Sequence, residues 1–155
     1  VGGRACLESP RELATFGISA QTGKSPQGAA STLGIDGRLR LGSVTLLSEF
    51  AQRFTRAGDP WNVYLEPNYS FTPNFLAFVF ADYGDSALNR TTIGISAIAD
   101  PWRKLEYGGG VNWLPTAYTR FRLAAHRFDY RGGTAVVAAQ NRDFTAFDVS
   151  AGVAF

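Results

Sequence analysis

Asp36, Arg38, Arg40, Glu49, Arg53, Glu66, Lys104, Glu106, Arg120, Arg122, His126 and Asp148 lie in segments that alternate between apolar and polar residues. In an extended chain, residues two apart point the same way. Arg38 with Arg40, and Arg120 with Arg122, therefore each put two guanidinium groups on one face. Rings of Arg and Lys along a channel select anions, as Asp and Glu select cations. Arg38, Arg40, Arg53, Lys104, Arg120 and Arg122, interspersed with Glu49, Glu66 and Glu106, are the candidates for lining a solute path. The same set allows a second role. An eight-stranded barrel has room inside only for side chains, and a buried charge needs a partner. The near balance of signs suits a salt-bridged filling.

Other chemistry finds little support. His126 is the only histidine, and no Ser or Asp lies at a spacing that suggests a catalytic triad. A pairing of His126 with Ser150 on neighbouring strands is the one arrangement open to a lipid-modifying hydrolase. There is no His/Cys/Glu cluster for zinc, no Gly-rich Lys loop for phosphate and no dinucleotide fingerprint. No enzyme activity, cofactor or metal is expected. A net charge of +2 without a basic stripe argues against a nucleic-acid partner. Cys6 is alone, so no intrachain disulfide forms. Gly108-Gly-Gly110 falls inside a strand, where it lets bulky side chains opposite pack in, or lets the strand bend, rather than cradling a phosphate.

The elements that position these residues are strands. The 155 residues read as one unit, with charged residues at 18%, below the usual quarter of soluble domains. No apolar run is long enough for a membrane helix, so any membrane-spanning structure has to be a closed barrel. Alternation predicts strands at Glu12–Thr22, Leu33–Leu41, Val44–Phe54, Trp61–Phe71, Phe75–Tyr83, Lys104–Trp113 and Thr119–Ala125, and a last one from Phe144. In Phe75–Tyr83, Leu76, Phe78 and Phe80 are expected outward, and Ala77, Val79 and Ala81 inward. Pro67 calls for a bulge or a sparsely paired spot. Gln21–Thr32, Arg56–Pro60 and Tyr130–Arg142 read as loops. Gly84–Trp102 reads as one external excursion, with Thr91–Ala99 as extended structure above a membrane.

The fold expected is all-β: an antiparallel transmembrane barrel with about eight strands in this chain. Turns at Gly42-Ser43, Thr72–Asn74 and Leu114–Ala117 then fall on one side and the longer loops on the other, as in outer-membrane barrels. Trp61, Tyr69, Phe71, Trp113 and Phe155 lie near strand ends, where they would form interfacial girdles in outer-membrane lipid. Alternation alone also fits a soluble barrel with its apolar face inside. The terminal aromatic, the loop sorting and the mid-strand Gly and Ala residues favour the membrane.

Leu33-Gly-Ile-Asp-Gly-Arg-Leu-Arg-Leu-Gly-Ser-Val-Thr-Leu-Leu-Ser-Glu-Phe50 resembles a strand–turn–strand of the phosphate-selective porin family, the porin O and P group. Asn68-Tyr-Ser-Phe-Thr-Pro-Asn74 and Gly109-Gly-Val-Asn-Trp-Leu-Pro-Thr-Ala-Tyr-Thr-Arg-Phe-Arg-Leu123 resemble two more of its turns. The final strand, ending on Phe155, resembles the terminal signal that the outer-membrane assembly machinery reads. The resemblance implies the C-terminal half of a porin of about sixteen strands in the bacterial outer membrane. It implies a homotrimer passing small anionic or hydrophilic solutes by passive diffusion. The alternative is a closed eight-stranded barrel with a structural, adhesive or scaffold role.

Overall fold

The computed structural model describes residues 1–25, 28–55, 59–85, 102–132 and 142–153. They form strands β1 (Gly2–Glu8), β2 (Ala14–Ser25), β3 (Gly28–Leu41), β4 (Val44–Thr55), β5 (Trp61–Thr72), β6 (Phe75–Asp85), β7 (Trp102–Thr116), β8 (Thr119–Gly132) and β9 (Arg142–Val153). All nine belong to one sheet in chain order. Every neighbouring pair is antiparallel. β1 and β9 are the two edges and do not pair with each other, so the sheet is open. The only helical piece among the described residues is a 3₁₀ turn at Pro10–Glu12 between β1 and β2. None of their helices is long and apolar enough to cross a membrane, which says nothing about strands.

Local chemistry accounts for the register. Leu41 pairs with Val44 across Gly42-Ser43, where Gly42 has φ +60°, a left-handed conformation costly for a residue with a Cβ. The turns at Pro73-Asn74 and Ala117-Tyr118 are held by hydroxyls. Asn74 N–H donates to Thr72 Oγ1 at 3.3 Å, and Tyr118 N–H to Thr116 Oγ1 at 3.2 Å. These tight turns share one end of the sheet with the β1–β2 connection. Residues 56–60, 86–101 and 133–141 connect strands at the other end.

Several expectations change. β1 adds a ninth strand, held to β2 from Gly2↔Gln21 to Glu8↔Thr15. Most of Gln21–Thr32 is not a loop: β2 and β3 continue through it, pairing Thr22 with Ser31 and Lys24 with Ala29. The first predicted strand starts at Ala14 rather than Glu12, and β8 runs on through Tyr130 to Gly132. Pro67 causes no register shift. The sparsely paired spot expected there is present, since Glu66 and Pro67 lack partners on β6, and the bulge sits farther on, between Ser70 and Thr72. β6 pairs directly with β7, so no strand crosses between them. Thr91–Ala99 and Phe155 lie outside the described residues.

The burial pattern is inverted relative to a protein with an apolar core. Along β5, Val63, Leu65, Tyr69 and Phe71 are exposed, whereas Tyr64, Glu66, Asn68 and Ser70 are more covered. Glu66 is 6% and Asn112 2% exposed. Large apolar residues on the other face, among them Ile18, Phe121 and Leu123, are exposed. One correction follows for β6. Phe78 and Phe80 lie buried on the polar face, and Val79 is exposed on the apolar one. Phe78 faces Gly110 and Phe80 faces Gly108 across the pair. The two glycines leave room for the rings, one of the roles expected of them.

Candidate functional site

The polar face gathers all nine candidates for a solute path. Register places Arg38 and Arg40 on β3, Glu49 and Arg53 on β4, Glu66 on β5, Lys104 and Glu106 on β7, and Arg120 and Arg122 on β8. They do not form one cluster. Two regions with different chemistry result.

Across β5–β8 the face is packed. The Tyr64 hydroxyl donates to Glu66, and Asn68 Nδ2 donates to Glu66 Oε1 at 3.1 Å. Arg122 approaches Glu66 at 3.6 Å while its guanidinium lies 3.9 Å from the centre of the Phe78 ring. That cation–π contact and the carboxylate together fix the side chain. The ion pair reaches from β8 to β5 over two intervening strands, about 14 Å on a flat sheet. The sheet therefore curls with its polar face concave. Nearby, Lys104 bridges Asp82 at 3.0 Å and Glu106 at 2.7 Å. The other Glu106 oxygen lies 2.8 Å from His126 Nδ1. A carboxylate only accepts, so Nδ1 carries the proton. Arg120 Nε donates to the buried Asn112 Oδ1 at 3.0 Å. Rings fill the rest: Phe80 stacks on Tyr64 and leans on His126, which stacks on Phe128.

Across β1–β4 the face is open. Arg4 pairs with Asp36 at 2.6 Å, reaching over β2, where Gly17 has no side chain to intervene. Arg38 donates a long bond to Thr15 Oγ1, at 3.4 Å. Arg38, Arg40, Arg53 and Glu49 have no ion-pair partner among the described residues. A cavity of about 470 Å³ is lined there by Arg4, Asp36, Arg38, Glu49 and Tyr64 among others. Arg53 and Lys104 border a second one of about 450 Å³ toward the opposite end of the strands.

The apolar face has its own order. Trp61 meets Tyr83 at 5.5 Å near one end. Tyr69, Phe71 and Phe75 form a ring group beside the tight turns, and Trp113 stacks on Phe121 at 5.4 Å on the same side. Of the predicted girdle residues, Trp61, Tyr69, Phe71 and Trp113 thus sit in two belts at opposite ends. Level with Trp61 and Tyr83 in the register, the same face turns ionic. Arg103 lies 3.8 Å from Asp85, Arg131 pairs with Asp129 at 2.9 Å, and Arg127 pairs with Asp143.

His126 and Ser150 are not brought together. His126 faces Ala146, whereas Ser150 faces Arg122, a separation of about 13 Å along the strands. No group of His, Cys, Asp and Glu suited to a metal ion occurs among the described residues. Alternation brings out the ionised face and puts Tyr64, Asn68 and Asn112 on it without marking their role, but misses Arg4 and the aromatic filling around His126. One signal was available: Asp82 shares the parity of Phe78 and Phe80 and marks their face as polar.

The architecture defines an all-β protein with one open antiparallel sheet, apolar outside its curl and ionised within it. No protein-family model, curated protein or solved structure matches the chain.

Proposed function

We propose that this chain forms part of a bacterial outer-membrane β-barrel and acts as a porin, passing small hydrophilic solutes with a preference for anions. The inverted burial carries the reading: Glu66 and Asn112 are covered while Leu123, Phe147 and Val149 are bare. Water on that bare face would be unfavourable at about 25 cal/mol per Å² of apolar surface, whereas hydrocarbon carries no such penalty. The dimensions agree. Trp61 to Phe71 spans about 33 Å along β5 at 3.3 Å per residue. At a tilt of about 40° this is about 25 Å, the height of the apolar band in such barrels. Aromatic rings border the band at both ends, and ion pairs lie level with the Trp61–Tyr83 end.

Selectivity is assigned to the cations without carboxylate partners. Arg38, Arg40 and Arg53 outnumber Glu49 on β3–β4 and make that part of the interior locally positive, whereas Glu66, Asp82 and Glu106 offset Arg122 and Lys104. Replacing Arg38, Arg40 and Arg53 together by Ser is expected to lower the anion-to-cation permeability ratio several-fold in planar bilayers. Arg122→Ala should change it less, because Glu66 already balances that charge. An unchanged ratio in the triple variant removes these residues from the path. The packed network on β5–β8 favours a second reading, a filled barrel with a structural role; silence in the same bilayers would select it.

A further inference from the structure

We propose that the open part of the polar face holds a binding site for zwitterions, small molecules that carry an ammonium and a carboxylate together, as amino acids do. The inference rests on the porin reading, which puts this cavity on the solute path, and adds the class of solute held there.

The cavity of about 470 Å³ is bordered by Arg4, Cys6, Glu8, Asp36, Arg38 and Glu49. That volume is ample for a small molecule. Arg4 and Asp36 pair with each other and cancel. Glu8, Arg38 and Glu49 remain, and none of them has an ion-pair partner among the described residues.

Register explains why Arg38 meets neither carboxylate. Arg4 reaches Asp36 over Gly17, which has no side chain, but Thr15 stands between Glu8 and Arg38. On the other side, Arg38 faces Leu47, and Glu49 lies two residues farther along β4, opposite Asp36. Arg38 also leans away from β4, donating to Thr15 Oγ1 at 3.4 Å. From Thr15 to Glu49 is two strand spacings across and two residues along, about 12 Å on a flat sheet. The guanidinium and the Glu49 carboxylate are thus separated by a gap that a solute can enter.

Charge decides the class of solute. A simple anion at Arg38 has a carboxylate on either side of it. A simple cation at Glu49 has the guanidinium nearby. A molecule with both groups offers its carboxylate to the Arg38 fork, a charge-assisted contact, and its ammonium to Glu49. Glu8, Arg38 and Glu49 are all exposed on this face, so water competes and the hold is weak. Conduction requires that, since a solute has to leave a site as well as enter it.

Cys6 borders the same cavity and is exposed, so it reports occupancy. In the full chain embedded in phospholipid vesicles, glycine should slow modification of Cys6 by a small methanethiosulfonate several-fold, and the effect should saturate. Acetate and methylammonium, each at the same concentration, should protect little. Arg38→Gln should abolish protection by glycine. Glu8→Gln combined with Glu49→Gln should let acetate protect as well as glycine does, a gain that loss of the fold does not produce. No protection by glycine (hydrated charges only), or equal protection by acetate in the unaltered protein, overturns the inference; anion-selective conductance in planar bilayers then leaves the porin reading standing. Silent bilayers overturn the porin reading, and a zwitterion site on a solute path falls with it.

Discussion

Arginine at Leu123 or Val149 is expected to destabilise the protein by about 2–4 kcal/mol in phospholipid bilayers. The two residues face each other on β8 and β9, midway along the apolar face. Both are exposed, so neither substitution creates a cavity or an overpacked core. On a water-facing sheet such changes stay within about 0.5 kcal/mol. In hydrocarbon the guanidinium loses its hydration and has no carboxylate nearby. Thr119→Arg, on the same face beside the Ala117-Tyr118 turn, should cost only about 0–1 kcal/mol, as expected near an interface. Denaturant titration of folding into vesicles reads all three. A flat response across these positions would place the apolar face in water.

Gly110→Ala is expected to cost about 3 kcal/mol, at the upper end of overpacking effects. A Cβ on Gly110 would lie 2.0 Å from the Leu123 carbonyl oxygen and 2.9 Å from Phe78 Cζ. The first obstacle is backbone of the paired strand, so no rotamer change relieves it. Gly108→Ala meets the Ala125 carbonyl oxygen at 2.1 Å and the Phe80 ring at 3.0 Å, and should behave alike. Displacing either ring disturbs the Arg122–Phe78 stack or the contact between Phe80 and His126. Gly152→Ala on β9 is the control. Nothing lies within 4 Å of its Cβ position, and its change should stay within about 0.5 kcal/mol. Equal midpoints for Gly110→Ala and Gly152→Ala would show that the close β7–β8 approach is not a constraint.

Legibility in the sequence followed the chemistry of each segment. Leu33–Leu41 and Trp61–Phe71 alternate cleanly because one side is apolar and the other ionised or amide-bearing, so face and register could be read directly. The parity of Arg38, Arg40, Arg120 and Arg122 was fixed by the same rule. β6 is misleading in sequence because its large apolar residues point to the polar face. Phe78 and Phe80 turn to the polar face since Gly108 and Gly110 leave space there, and that space belongs to another strand. β1 escaped notice because Gly-Gly-Arg-Ala-Cys-Leu-Glu is short and barely alternates. The outer parts of β2 and β3 carry Ser, Thr and Gly, a composition that reads as loop although the ladder continues through it. The pairings within the site were beyond reach: Arg122 meets Glu66 only because the sheet curls.

Accessibility of a nitroxide at Val149→Cys, on a Cys6→Ser background, tests most directly whether the apolar face is bathed by lipid. In membrane-embedded protein, dissolved oxygen should relax the label efficiently and a water-soluble nickel chelate should barely reach it, with the reverse order for a label at Arg38→Cys. Strong collision with the chelate at Val149, or shielding of that site from both agents, would contradict a lipid-facing sheet.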